Sequence, residues 1–203
     1  IIAGAVYDQQ TQGYILKYDS SGNFQNVFVI NRAPYNSLNR NIKLTSDNQN
    51  GFWLGYFSWD SNLNDHRFYF LHFDQNFNQI GADSSIGSYQ YDHQQVCDDL
   101  GNLYHIGGAQ DSLVKLRPDG SKDWAYYQGP EDGYREHLLM DEGQNIAFTK
   151  IRNDSLHLFY LTPSGTAIFH VKKYIPNMYD VYGLHLGADQ QFYVAIPVFG
   201  MNN

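Results

Sequence analysis

Short runs of apolar and aromatic residues alternate with polar, turn-forming clusters along most of the chain. Residues 103–107, 113–116 and Lys122–Tyr127 are three such runs, each containing β-branched or aromatic side chains. The clusters between them hold Gly, Asp, Asn and Pro, the residues that tight turns require, and no 3.6-residue helical period competes with the runs. The pattern therefore predicts short antiparallel strands joined by hairpins, and an all-β fold.

A longer pattern, an apolar run followed by a turn, recurs four times. The copies start at residues 16, 71, 114 and 159 and read LKYDSSGN, LHFDQNFN, VKLRPDGS and FYLTPSGT. Units of roughly 40–50 residues built from short strands are typical of propeller blades. The sequence therefore predicts a β-propeller of four-stranded antiparallel blades.

Placing the strands on this repeat divides the chain into complete and partial blades. Residues 42–86, 91–128 and 135–175 each supply four strands, residues 1–31 supply the last three strands of a blade, and residues 180–198 supply a first and a second strand. We therefore expect one propeller segment over residues 1–203, incomplete at both ends. The missing strands are expected from further blades of a longer chain or from another molecule, because unpaired strand edges invite partners.

An Asp stands five residues before the second strand of each complete blade, at Asp47, Asp98 and Asp141. A carboxylate at this position can accept hydrogen bonds from the backbone of its own turn. Turn capping, rather than catalysis, is the predicted role of these three residues.

Composition excludes several classes of partner. The chain is globular in type, with 42% hydrophobic and 16% aromatic residues among its 203. A net charge of −8 and only 13 Lys and Arg leave no basic surface for nucleic acid. No apolar stretch reaches the ~20 residues of a membrane span, so no membrane insertion is expected. A single cysteine, Cys97, excludes an internal disulfide framework, and we expect its thiol to be buried.

Residues 91–128 resemble the secreted bacterial β-propeller repeat family of the SBBP type. The first half of that unit is matched by Asp98, Gly101, Asn102, Tyr104 and Gly107, and the second half by Val114, Lys115, Leu116, Asp119, Gly120 and Trp124. The other units depart from the family pattern, with Phe77 where the turn Gly belongs. The resemblance implies an extracellular or cell-surface propeller that displays binding surfaces, and it carries over no catalytic residue.

Tyrosines and charged residues recur in the links between blades. They are Tyr35, Tyr91, Tyr134, Arg135, Tyr179 and Asp180. Such links lie at one face of a propeller near its channel, so these side chains are candidates for stacking on sugars or gripping a peptide. The alternative is that the rings pack between neighbouring blades.

Two further sites have weaker signals. A Ca²⁺ loop is one, since Asp60, Asn62, Asn64 and Asp65 put oxygen ligands close together, although the central Gly and the downstream Glu of such loops are missing. A plain polar hairpin is the alternative there. The other is N-glycosylation at Asn153, which begins the tripeptide Asn-Asp-Ser.

These features favour a non-enzymatic extracellular or cell-surface scaffold that binds protein or glycan through its loops. One alternative is a propeller hydrolase or lyase acting on polysaccharide with carboxylates from several blades. Another is a structural subunit that polymerises through its open blade edges. The sequence contains no nucleophile elbow, phosphate loop or metal-protease motif that favours an enzyme.

Overall fold

The structure of the chain is a computed structural model that describes residues 13–30, 37–38, 42–60, 65–86, 93–106, 112–127, 137–178 and 180–197. All regular elements in these ranges are β-strands, and all their pairings are antiparallel. The prediction of an all-β fold is therefore confirmed.

The strands form five sheets in chain order. Sheet 1 contains β1 (Gly13–Tyr18) and β2 (Phe24–Ile30). Sheet 2 contains β3 (Ser37–Leu38), β4 (Lys43–Ser46), β5 (Phe52–Asp60), β6 (Asp65–Phe73) and β7 (Gln79–Ile86). Sheet 3 contains β8 (Gln94–Cys97), β9 (Leu103–Ile106), β10 (Ser112–Leu116) and β11 (Lys122–Tyr127). Sheet 4 contains β12 (His137–Met140), β13 (Ile146–Arg152), β14 (Ser155–Leu161) and β15 (Ala167–Tyr174). Sheet 5 contains β16 (Gly183–Leu186) and β17 (Phe192–Ala195).

The sheets follow one another as the blades of a propeller do. Sheets 3 and 4 are meanders in which each strand pairs with the next along the chain. Their first strands are neighbours, since β8 lies beside both β4 and β12, and β12 also lies beside β16. First strands that adjoin one another from sheet to sheet are what a ring of blades around a central axis produces.

Sheet 2 departs from the predicted four strands. β5 is nine residues long and β4 only four. The first half of β5 pairs with β4, and its second half pairs with the additional two-residue strand β3. The extra length of β5 thus leaves backbone groups that a separate short strand satisfies.

The hydrophobic core lies in layers between successive sheets. Alternate residues of a strand point to opposite faces, so Leu103 packs with sheet 2 while its neighbour Tyr104 packs with sheet 4. Trp53, fully buried, belongs to the layer between sheets 2 and 3. The inner strand β9 is buried along its whole length, whereas the outer strand β15 is largely exposed.

The turn that ends the four-fold pattern has one backbone geometry in all four copies. Each turn follows a shift in strand register, and the residue that closes it has positive φ. Gly occupies this position in three copies, and Phe77, with φ 66°, in the fourth. A non-glycine residue is strained there, and Phe77 stacks on Phe28 with 5.4 Å between ring centroids. That stacking offsets part of the backbone cost.

Candidate functional site

The two ends of each sheet carry different connections. In an ordered antiparallel meander, the turn after the first strand and the turn after the third lie at one end, which we call the turn end. The loop after the second strand and the link to the next sheet lie at the other, the link end. The predicted ligand-binding residues belong to the links.

Most of these predicted residues lie outside the described ranges. They are Tyr35, Tyr91, Tyr134, Arg135 and Tyr179. Asp180 is described and is buried, and its Oδ1 accepts a hydrogen bond of 2.9 Å from the backbone N–H of Val181. A shared ligand site in the links therefore stays a prediction.

The predicted Ca²⁺ loop joins β5 to β6. Asp60 ends β5 and pairs in register with Asp65, which begins β6. Asn62 and Asn64 lie outside the described residues. The Ca²⁺ loop therefore stays a prediction.

The candidate glycosylation residue Asn153 is exposed in the tight turn between β13 and β14. Asn153 and Asp154 both have positive φ, at 48° and 53°, as a two-residue hairpin turn requires. Ser155 is buried, and its Oγ donates a 3.3 Å hydrogen bond to the carbonyl oxygen of Asn153. Modification of Asn153 remains a prediction.

The three repeated aspartates cap their turns, as the sequence predicts. Asp98 Oδ1 accepts hydrogen bonds from the backbone N–H groups of Leu100 and Asn102, at 3.0 and 2.9 Å. Asp47 and Asp141 accept equivalent bonds from the fourth residue after each of them. One carboxylate oxygen of each residue is therefore committed to its own turn.

The second oxygen of each of these carboxylates binds a side chain that belongs to a seam between sheets. In each copy of the four-fold pattern, a polar residue stands at the second position, namely Lys17, His72, Lys115 and Tyr160. The first three donate to the backbone carbonyl of the equivalent turn of the next sheet, at Gln75 (2.9 Å), Pro118 (2.7 Å) and Pro163 (3.2 Å). Tyr160 bonds Asp141 and packs edge-on against Phe192 of sheet 5. One sequence position thus links each sheet to the next.

Between sheets 2 and 3 the residue at this position is His72, whose imidazole pairs with a carboxylate. His72 Nε2 lies 2.8 Å from Asp47 Oδ2, and its Nδ1 faces the Pro118 carbonyl oxygen. The Pro118 carbonyl can only accept, so Nδ1 donates the hydrogen bond to it. The ring stacks on Trp53, whose Nε1 donates a 3.0 Å bond to the carbonyl of Gly101 in the next sheet.

Between sheets 3 and 4 three side chains converge on one carbonyl oxygen. Tyr104 Oη, Lys115 Nζ and Trp124 Nε1 lie 3.2–3.3 Å from the oxygen of Pro163. Tyr104 also donates to Asp98 Oδ2 at 3.0 Å. Burial, followed by the neighbouring Asp98 carboxylate, raises the pKa of the Tyr104 hydroxyl, so this residue remains a hydrogen-bond donor.

Sequence reasoning missed these side-chain hydrogen bonds between sheets, although a signal was present. A polar residue at the second position of an otherwise apolar run stands in all four copies. Its role escaped prediction because the acceptor is a backbone carbonyl of another sheet, which no residue type marks.

A second polar group is buried between sheets 2 and 3. His93 and His105 are 0% and 1% exposed. His105 stacks on Phe70 with 3.9 Å between centroids, and neither of its nitrogens has a hydrogen-bond partner in the described part of the chain. His93 and Gln95 border the space above Gly55, where a Cβ would overlap both side chains. Burial is the main cause that lowers the pKa of each histidine to about 3, which keeps both rings neutral.

The polar clusters of the described residues thus have structural roles within the fold. They contain no group of three or more His, Cys, Asp or Glu side chains placed to hold a metal ion. Cys97 is half-buried and has no disulfide, and burial raises the pKa of its thiol. The same residues include no helix with the length and hydropathy needed to cross a membrane.

Comparison with known proteins shows solved structures of similar fold but no matching family. No family model and no curated protein matches the chain, so the resemblance to SBBP-type repeats stays a prediction. The crystal structure of BBS1N in complex with ARL6DN, soaked with lead, is similar over 94% of this chain and 58% of that chain, with a TM-score of 0.52 and 10% sequence identity. A mercury-soaked crystal of the same complex (TM-score 0.49, 11% identity, 88% and 51% coverage) also matches. So does a protein of unknown function from Bacteroides caccae (TM-score 0.42, 8% identity, 95% and 80% coverage).

The chain spans just over half the length of the BBS1N chain that it matches. Identity of 10% supports a statement about fold alone. With the order of its sheets and the adjacency of their first strands, this likeness shows that the chain has the fold of a β-propeller.

Proposed function

We propose that the chain is a non-enzymatic propeller scaffold that binds another protein through the links between its sheets. The proposal rests on the structural roles of the repeated polar residues. Asp47, Asp98 and Asp141 cap turns, and His72 and Lys115 bond the next sheet. These residues build a rigid frame, and recognition is left to the links, where the sequence concentrates tyrosines.

The similar structure supports this function. BBS1N, with which the chain shares its fold, is in complex with ARL6DN in that crystal structure. A frame of this architecture can therefore present a surface to a protein. Tyrosine suits such a surface because it supplies contact area and a hydrogen bond at a small entropic cost.

The proposal extends to an extracellular or cell-surface location, with glycans as a second ligand class. The resemblance of residues 91–128 to secreted propeller repeats supports the location. The 17 tyrosines support recognition of uncharged ligands, since aromatic rings stack on apolar faces while their hydroxyls hydrogen-bond. Association through open sheet edges is a further proposal for how copies of the chain assemble.

Replacing Tyr91 and Tyr134 together by serine is expected to weaken partner binding by about 30-fold or more. Tyrosines in an interface often contribute about 1 kcal/mol or more each, so the two together contribute about 2 kcal/mol or more. The measurement is quantitative retention of proteins from an extract of the source organism on the immobilised chain, followed by titration of the purified partner.

Leu100→Ser is the matched control, because Leu100 is 73% exposed at the turn end. It should retain the partner as the unchanged chain does. Equal retention by the control and the double variant would refute binding through the links.

Adding about 1 mM Ca²⁺ is expected to raise the melting temperature by a few degrees, because a ligand bound only to the folded state stabilises it. Relief of repulsion between the paired Asp60 and Asp65 is the physical reason. Differential scanning fluorimetry measures the shift, which the Asp60→Asn/Asp65→Asn variant should abolish. An identical melting temperature with Ca²⁺ and with EDTA would remove Ca²⁺ from the account.

A further inference from the structure

The apolar layer between sheets 2 and 3 encloses two imidazoles, on His93 just before β8 and on His105 in β9. Both side chains are buried. The ring of His93 lies edge-on to Phe68 and Phe70, with 5.2 and 5.8 Å between ring centroids, and the ring of His105 stacks on Phe70. The layer formed by these two histidines and two phenylalanines is here called the histidine seam.

The charges that act on the two imidazoles are positive. Burial is the main cause that lowers the pKa of each ring, and the charge of Lys43 on β4 lowers that of His93 further. His93 and Lys122 on β11 act on His105 in the same direction. Asp83 on β7 also faces this layer, where it interacts with Lys122. A proton on either ring would therefore add a buried positive charge that forms no ion pair with a described carboxylate.

Two further titratable groups lie between sheets 2 and 3. His72 is buried as well, but its Nε2 lies 2.8 Å from the carboxylate of Asp47, which can balance a positive charge on that ring. The thiol of Cys97 is neutral at pH 7 and below, because burial raises its pKa. Neither group supplies a negative charge to the histidine seam.

The layer between sheets 3 and 4 has different polar groups. Tyr104 and Lys115 donate to the carbonyl oxygen of Pro163, and both side chains keep their protons between pH 7 and pH 5. His157 on β14 is only half-buried, and its Nδ1 lies 2.9 Å from a nitrogen of His170. Among the described layers, the one between sheets 2 and 3 therefore holds the buried imidazoles.

We propose that the histidine seam is an acid-sensitive opening point of the propeller, at which sheets 2 and 3 separate while sheets 3 and 4 stay packed. Opening exposes both rings to water, where their pKa returns from about 3 to 6.5. The closed seam therefore has its full stability above pH 6.5 and loses it as the pH falls towards 3. This property belongs to the frame and goes beyond the binding function proposed for the links.

The size of the effect follows from these values. Between pH 7 and pH 5, one histidine whose pKa rises from about 3 to 6.5 on opening increases the opened population about 25-fold. Two such histidines multiply their effects when they titrate independently, which gives roughly several hundredfold.

The single cysteine provides a reporter of the opening. Cys97 packs against the apolar layer between sheets 2 and 3. The test is the rate at which dithiodipyridine, a reagent that also attacks thiols in acid, modifies Cys97 at pH 7 and at pH 5. Each rate is divided by the rate with free cysteine at the same pH. We expect this relative rate to rise by more than about 25-fold in the unchanged chain.

Cys97→Ser/Met140→Cys is the matched control, because it moves the thiol to the equivalent place between sheets 3 and 4. Met140 ends β12 as Cys97 ends β8, and the two residues pair with Ile146 and Leu103 in the same register. Met140 packs against the layer between sheets 3 and 4. The relative rate in this variant should change by less than about 3-fold between pH 7 and pH 5.

His105→Phe removes one titrating group and keeps a ring against Phe70. With the thiol at Cys97, this variant should limit the rise to about 25-fold, the contribution of one histidine.

Equal relative rates at pH 7 and pH 5 in the unchanged chain would show that the seam stays closed and would overturn the proposal. An equal rise at the two thiol positions would overturn it as well, because acid would then unfold the chain as a whole. The first of these outcomes needs no variant, and neither depends on a binding partner.

Discussion

Gly120→Ala is expected to destabilise the chain by at least about 3 kcal/mol. Gly120 has φ 87° and lies in the turn between β10 and β11, packed against β7 of the preceding sheet. A Cβ at this position would overlap the backbone nitrogen and carbonyl oxygen of Ala82. Backbone atoms cannot rotate away as a side chain does, so the seam between sheets 2 and 3 must open. Urea unfolding followed by tryptophan fluorescence measures the loss.

Gly22→Ala is the matched control for Gly120→Ala. Gly22 closes the equivalent turn of sheet 1 with φ 83°, and a Cβ there meets nothing within 4 Å. Only the cost of the left-handed conformation remains, about 1 kcal/mol. If the two variants lose equal stability, the Gly120 turn does not pack against sheet 2 as described.

Acid is expected to destabilise the chain through its two buried histidines. The folded state holds the pKa of His93 and of His105 at about 3, below the unfolded value of 6.5. The unfolded chain therefore binds these protons first, and stability present above pH 6.5 is lost as pH falls towards 3. Each histidine contributes a slope of about 1.4 kcal/mol per pH unit in that window. Urea unfolding at intervals between pH 6.5 and 4.5 measures this slope above the range where most carboxylates titrate.

His105→Phe should reduce this acid slope by about one third to one half, because it removes one of three histidines whose pKa is lowered, the others being His93 and the less buried His157. The variant keeps a ring against Phe70. His185→Gln is the control, since His185 is exposed and its removal should leave the slope unchanged. A slope that is the same in both variants would show that buried imidazoles do not control acid stability.

The blade architecture followed from local chemistry and could be predicted from the sequence. Turn residues such as Asp98 and Gly120 act on their own backbone, so their types mark their positions. The two-residue strand β3 was missed because its pairing depends on the length of β5 rather than on its own residues.

The seams were less predictable because their partners are distant and unmarked. His72 and Pro118 are 46 residues apart, and the acceptor at Pro118 is a carbonyl that every residue has. The burial of His93 and His105 depends likewise on how two sheets meet. The predicted ligand residues stay predictions, and Asp180, the one of them that is described, has a buried side chain.

One repeated sequence position ties each blade to the next through a side-chain hydrogen bond. A crystal structure of the chain would measure these contacts. We expect the side chains of Lys17, His72 and Lys115 within hydrogen-bond distance of the carbonyl oxygens of Gln75, Pro118 and Pro163. Side chains at these positions turned to solvent, or sheets packed as a two-layer sandwich, would contradict it.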